Sequence, residues 1–184
     1  MEVTAKYRCG KYVLCDEQGN CLAQVQKVHG KSGQMRVLDG AGEMAYDVVK
    51  DGDRIAVSGR DAGGSAAGAA GQERDGRGKE NCSMDGRILY EHDEAGNILQ
   101  PSLFRPPMAE ELLLETPWGQ LKIVQDKKRE FEVYLEEKKA GAMSHMLSFQ
   151  KKMTMTSEGL PKEIYGMILG LGMFMLREDD VEVV

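Results

Sequence analysis

The chain is poor in aromatic residues: one Trp, four Phe and six Tyr in 184 residues, with 12 Met filling part of the missing volume. It also lacks an excess of positive charge, because 24 Lys and Arg against 30 Asp and Glu leave a net charge of −6. Duplex binding needs a basic face to displace counterions, so a general DNA-binding role is excluded and no nucleic-acid partner is expected. The four cysteines, Cys9, Cys15, Cys21 and Cys82, form no Cys-x-x-Cys pair. That argues against zinc-ribbon and thioredoxin-type chemistry, and they read as half-buried reduced thiols. Met1 to Arg8 holds no apolar run, and Glu178 to Val184 holds no prenylation box. Neither a secretory signal nor a lipid anchor is therefore expected. The expected location is cytoplasmic, with peripheral attachment to a membrane left open. His29, His92 and His145 lie far apart, and no Gly-x-Ser-x-Gly elbow accompanies them. Gly78-Lys79 lacks the first glycine and the Ser or Thr of a phosphate loop. No catalytic residue, metal site or cofactor is assigned.

What is present is a core: 41% of residues are hydrophobic, enough for one domain spanning residues 1–184. Short apolar runs alternate with turn signals. Lys11 to Cys15 and Cys21 to Val28 flank Asp16-Glu17-Gln18-Gly19-Asn20 and read as a hairpin. Further strand-like runs follow at Met35 to Leu38, Glu43 to Val49 and Arg54 to Val57, then Gln120 to Gln125, Glu130 to Leu135 and Ser148 to Thr156. This spacing predicts an antiparallel meander. Residues 59–86 differ in kind: eight of the 28 are Gly and almost nothing is large and apolar, so a flexible surface insertion is predicted there. Beyond it, Asp93-Glu94-Ala95-Gly96-Asn97 repeats the first turn 77 residues on. An internal repeat and a turn solution reached twice both remain open.

One segment is strongly helical, about residues 161–177, with Pro161 at a favourable first position. Ile164 to Leu176 carries no charge on any face, and ten of these 13 residues are large and apolar or aromatic. At ~2 kcal/mol each, exposing them would cost on the order of 20 kcal/mol, more than the ~5–15 kcal/mol net stability of a domain. A bilayer span needs ~20 apolar residues, so no transmembrane span is expected. The helix must instead be wrapped by the strands, with Gly166 and Gly170 letting them approach closely. The expected fold is mainly β with one buried helix (α+β), a closed or nearly closed antiparallel barrel around a C-terminal hydrophobic helix; the count of about twelve strands is what the resemblance described next implies.

The hairpins punctuated by Asp-x-x-Gly-Asn, followed by Leu160-Pro161-Lys162-Glu163-Ile164 through Leu176 and a short final strand, resemble the tubby C-terminal-like superfamily. This group comprises tubby domains, phospholipid scramblases and LURP-one-related proteins, with many bacterial members. The resemblance implies a twelve-stranded barrel around a central helix and a lean toward ligand or membrane-surface binding; it carries no residue role over to this chain. The residues themselves offer Lys127, Lys128 and Arg129, with Lys138, Lys139, Lys151 and Lys152, as an anion or lipid-headgroup patch should the hairpins bring them together. The expected function is a non-enzymatic binding or scaffolding module that recognises lipid headgroups or another small ligand at the barrel surface. A structural or oligomerising protein with a protein partner or a second copy, and an enzyme with a site at the barrel mouth, are the alternatives.

Overall fold

A computed structural model describes residues 1–60, 73–74, 80–91, 94–95, 108–126, 130–156 and 160–176. Its strands are β1 (Glu2–Arg8), β2 (Lys11–Cys15), β3 (Cys21–Lys27), β4 (Gln34–Asp39), β5 (Met44–Asp51), β6 (Arg54–Arg60), β7 (Glu73–Arg74), β8 (Glu80–Tyr90), β9 (Ala109–Thr116), β10 (Gly119–Gln125), β11 (Phe131–Leu135), β12 (Lys138–Ser144) and β13 (Gln150–Met155). One helix follows, α1 (Ile164–Met175).

Each strand pairs antiparallel with its neighbours. The order runs β6-β5-β4-β3-β2-β1-β13-β12-β11-β10-β9-β8, and β8 returns to β6 to close the ring. Twelve strands thus form a closed barrel, with the two-residue β7 added on β8. Closure removes the free strand edges that would otherwise invite pairing with another chain. The two ends of the meander meet through β1 and β13, where Val3 faces Met153 and Ala5 faces Lys151.

The period-two alternation of a strand sends every second side chain inward. In β13, Lys151, Met153 and Met155 are buried while Lys152 and Thr154 are exposed. In β10, Leu121, Ile123 and Gln125 are buried between less buried neighbours. The interior is filled by α1, all twelve residues of which are buried. The helix packs on β3, β4, β5 and β9. It begins three residues after Pro161, whose carbonyl accepts the Ile164 N–H at 3.1 Å; the Lys162 carbonyl takes Tyr165 N–H at 3.2 Å. Close approach is possible because Gly166 lacks a side chain: a Cβ there would lie 2.7 Å from Val37 Cγ1 and 3.0 Å from Ala23 Cβ.

Two expectations change. The first strand, Glu2–Arg8, is absent from the hairpin reading, although Val3 and Ala5 alternate inward between Glu2, Thr4 and Lys6. The predicted insertion at 59–86 is narrower at both ends. Gly59 faces Cys82, Val57 faces Met84 and Ile55 faces Gly86 in the β6–β8 ladder that closes the barrel. Glycine content alone concealed this, because Gly59 and Gly86 stand where a Cβ would meet Tyr46 Cδ1 and the Leu113 carbonyl, each at 2.3 Å. The remainder of that segment, residues 61–72 and 75–79, and most of the second Asp-Glu-x-Gly-Asn turn lie outside the described residues.

Candidate functional site

One end of the barrel carries a basic sector, flanked at the same end by the β5–β6 turn with Asp51 and Asp53 and by the β10–β11 turn with Asp126 and Glu130. The β1–β2, β3–β4 and β12–β13 connections share this end, since Arg8 faces Lys11, Lys11 faces Gln26, Lys27 faces Met35 and Ser144 faces Lys152. Their strands are consecutive in the ring, so the three loops are neighbours. Residues 4–15, 21–38 and 138–156, which build this sector, contain no Asp or Glu. Lys6, Arg8, Lys11, Lys27, Lys31 and Lys152 lie at or near its loops. Lys11 Nζ donates to Gln24 Oε1 at 2.7 Å, a neutral acceptor that leaves the charge uncancelled.

Apolar side chains protrude between these cations. Phe149 is 74% exposed, Leu147 65% and Tyr7 37%. They form one tip: Tyr7 N–H donates to the Phe149 carbonyl at 3.0 Å, and the two rings stand 6.2 Å apart between centroids. Tyr7 also meets Tyr12 edge-on at 5.2 Å, a favourable aromatic geometry. Exposing two large apolar residues on one short loop is costly unless something covers them.

The loop that carries them is tied down from inside. Lys151 is 1% exposed. Its ammonium donates to the Met146 carbonyl and, at 3.3 Å, to the Ser148 carbonyl, and it lies 4.9 Å from the Tyr12 ring centroid. Ser148 N–H donates to the His145 carbonyl at 2.9 Å, and His145 turns the chain at φ 56°. Charge-assisted bonds to two loop carbonyls fix the backbone on either side of Leu147. Leu147 and Phe149 are therefore held outward rather than left to fold back on the core.

The opposite end is acidic. The β2–β3 turn holds Asp16 and Glu17, the β4–β5 turn Asp39 and Glu43, and the β11–β12 turn Glu136 and Glu137. The carboxylate of Asp16 accepts Asn20 Nδ2 at 2.9 Å and the N–H groups of Asn20 and Gln18 at 2.8 and 3.0 Å. These bonds, that from the Asn20 side chain first, hold its carboxyl below the ordinary carboxylate range. Asp39 binds Ala41 N–H and Glu43 N–H in the same way, at 2.9 Å each. Asp16 and Asp39 thus fold their own turns, while Glu17 and Glu136 accept the N–H groups of Glu2 and Gln120 on neighbouring strands, at 3.0 and 2.8 Å.

The four described residues of the basic patch read from the sequence do not share one surface. Lys127, Lys128 and Arg129 lie outside the described residues. Lys138 and Lys139 open β12 at the acidic end, six and five residues, or ~17–20 Å, along the strand from Ser144, the partner of Lys152. Lys139 Nζ is bound to Glu132 Oε1 at 2.5 Å, and Tyr134 Oη donates to Glu132 Oε2 at 2.5 Å. The Lys139 bond, then the Tyr134 bond, hold the Glu132 carboxyl below its usual value, and the same carboxylate raises Lys139. Lys151 leaves the patch altogether, because its position in the alternation of β13 points it inward. Of the four described residues of that patch, Lys152 alone stands on the surface of the basic sector. Arg8, Lys11, Leu147 and Phe149 were missed; the run of acid-free sequence around them was the available signal.

The other titratable groups are spread over both ends. Cys9 occupies the β1–β2 turn at φ 48°, exposed, and His29 and His145 sit in the neighbouring loops of the same end; His92 lies outside the described residues. Cys15 and Cys21 flank the acidic β2–β3 turn, and burial and the neighbouring Cys15 sulfur push the Cys21 thiol up. Among the described residues no group of three or more His, Cys, Asp or Glu is placed to hold a metal ion. Among them, too, no helix is long and apolar enough to cross a membrane.

No protein-family model matches the chain, and no curated protein matches it. One solved structure does: the X-ray structure of a protein from Arabidopsis thaliana aligns over 97% of this chain and 90% of its own length, with a TM-score of 0.52 and 15% sequence identity. At that identity the likeness is one of fold, and it extends to nearly the whole barrel.

Proposed function

We propose that this chain is a non-enzymatic, tubby-like barrel that docks on anionic bilayer surfaces through the basic end described above. The observation that carries the reading is the β12–β13 loop, where Leu147 and Phe149 stand exposed inside a sector without a single carboxylate side chain. A membrane interface offers both chemistries that this tip lacks. Headgroup phosphates complement Lys6, Arg8, Lys31 and Lys152, and the acyl boundary receives the two apolar side chains. Cations near an anionic leaflet contribute about 1 kcal/mol each, and two partly inserted apolar residues about 1–2 kcal/mol each. The sum reaches useful affinity only with both. The filled barrel supports the same reading: α1 occupies the interior, so recognition belongs to the outside. The resemblance of the hairpins and helix to tubby C-terminal-like proteins, together with the Arabidopsis fold match, supports the superfamily placement.

Sedimentation with phosphatidylcholine vesicles, with and without phosphatidylserine, tests the proposal at low salt. The full chain pellets with the anionic vesicles and not with the neutral ones. The Lys6→Glu/Arg8→Glu double variant loses more than tenfold in affinity, since reversing a charge removes an attraction of about 1 kcal/mol and adds a repulsion. Absence of binding to the anionic vesicles, or binding unchanged in the double variant, overturns it.

A further inference from the structure

We infer that Cys15 and Cys21 constitute a dithiol site that reacts with a low-molecular-weight disulfide and closes to an intramolecular disulfide across β2 and β3. The two cysteines are spaced by six in the sequence, with a tight turn between them, and the register of the hairpin makes them direct partners. Asp16 N–H donates to the Asn20 carbonyl at 3.1 Å, so the next pair inward, Cys15 and Cys21, is a non-hydrogen-bonded pair. Such pairs bring Cα atoms to ~4.5 Å, inside the ~4.4–6.8 Å range that a disulfide spans. A β-bulge falls between this pair and Leu14, where it bends the strand and increases its twist.

Both thiols are on the same side of the sheet and within reach of solvent. Leu14 and Leu22, their neighbours, are buried, whereas Cys15 and Cys21 are half-buried. Cys21 Sγ contacts the Ala23 carbonyl at 3.8 Å and Gln24 Nε2 at 4.0 Å. Cys15 lines a shallow outer concavity with Thr4, Lys6 and Val13. Neither of the remaining cysteines competes: Cys9 is at the far end of β2, in the β1–β2 turn, and Cys82 is on β8, four strands round the ring from β3. A turn that stays closed through the Asp16 bonds keeps the two sulfurs together in the reduced state.

The chemistry balances with glutathione disulfide as the oxidant. One thiol loses its proton to water, and its thiolate attacks a glutathione sulfur, breaking that S–S bond and releasing one glutathione thiolate. The second protein thiol also loses its proton to water, and its thiolate attacks the protein sulfur of the mixed disulfide, forming the Cys15–Cys21 bond and releasing the second glutathione thiolate; the two released glutathione thiolates take up the two protons. The two protein sulfurs are oxidised by two electrons in all, and the two glutathione sulfurs are reduced.

The tryptic peptide Tyr12–Lys27 contains Cys15, Cys21 and no other cysteine, which makes the product directly readable. The native full chain is incubated with glutathione disulfide, quenched with iodoacetamide, digested and weighed. The expected peptide is lighter by two hydrogens and carries neither glutathione nor alkyl group, and it exceeds the mixed disulfide by about tenfold because the second thiol is already in place. In the Cys21→Ser variant Cys15 stops at the glutathione adduct, while Cys82→Ser leaves the closed peptide unchanged. A wild-type peptide with two alkylated cysteines, two glutathione adducts, or a cross-link to Cys9 or Cys82 overturns the inference.

Discussion

The three glycines of α1 should respond differently to alanine, and the differences follow from what a methyl group would meet. In each case alanine gains roughly 1 kcal/mol of helix propensity over glycine. At Gly170 the new Cβ would lie 3.6 Å from Met35 Sδ and 3.7 Å from Val25 Cγ1, ordinary contact distances. The buried methyl then adds ~0.8 kcal/mol, and Gly170→Ala should stabilise by about 1–2 kcal/mol. At Gly172 the Cβ would lie 2.9 Å from Met143 Cε and 3.1 Å from Met146 Cε. Both are ends of flexible chains that can rotate away, so Gly172→Ala should be close to neutral. At Gly166 the obstacles are Val37 Cγ1 at 2.7 Å and Ala23 Cβ at 3.0 Å. Neither can rotate aside: Val is stiff about χ1 and Ala has no rotamer, so relief requires moving β3 and β4. Overpacking of this kind costs about 1–3 kcal/mol, which reverses the propensity gain and leaves Gly166→Ala destabilised by about 1 kcal/mol. Urea unfolding midpoints at constant m-value read the order Gly170→Ala above Gly172→Ala above Gly166→Ala. If Gly166→Ala proved as stable as Gly170→Ala, the helix would not be pressed on β3 and β4 as described.

Leu147→Ser and Phe149→Ser, together, should lower affinity for anionic vesicles about tenfold or more while changing the unfolding midpoint little, because exposed side chains contribute little to the fold; a lowered midpoint with unchanged vesicle binding would place these residues in the core's service instead. Glu132 sets an acid dependence. Its folded carboxyl titrates below the ordinary 4.5, so the unfolded chain takes up the proton first, and the stability it contributes is full above that value and lost as pH falls through the folded one. Glu132→Gln should therefore flatten the unfolding midpoint between about pH 5 and pH 3 relative to the parent chain; identical curves would show that the Lys139 and Tyr134 bonds do not form in solution.

The helix was legible because 13 uncharged residues leave no face for water, and burial of that much apolar surface admits few solutions. The hairpins were legible from turn signals and closure followed from the need to surround a rod, whereas the count of twelve rested on the resemblance and the first strand, Glu2–Arg8, was not read. What was not legible depends on long-range register. Lys151 and Lys152 are adjacent in the chain, yet the two-residue period of β13 sends one inside and the other out, and nothing in a Lys-Lys pair says which. The exposure of Leu147 and Phe149 is equally silent in the sequence, because apolar residues in a strand-rich segment read as core. It becomes visible only when the buried Lys151 is seen holding the loop carbonyls. Density of basic residues does not locate the charged surface: in the dense Lys138-Lys139 pair Lys139 is bound by Glu132, while the basic sector is made by three separate segments that lack acids.

The polarity of the barrel relates the two proposals without making either depend on the other. Docking uses the end that carries Arg8, Lys31 and Phe149, whereas the Cys15–Cys21 pair adjoins the Asp16 turn at the opposite end. A barrel resting on a bilayer by its basic end would hold the dithiol about one strand length away, in the aqueous phase; seven residues of β3 correspond to ~23 Å. Small disulfides would therefore reach it equally in the free and bound states. Oxidation, in turn, would tighten the Asp16 turn, which lies at the opposite end of β2 from the Arg8–Lys11 pair. Vesicle binding should accordingly be the same for reduced and oxidised chains, and oxidation rates the same with and without vesicles. A bilayer that slowed oxidation would mean that the barrel lies on its side, with β1 and β2 against the headgroups and the outer concavity of Thr4, Lys6 and Cys15 facing the membrane.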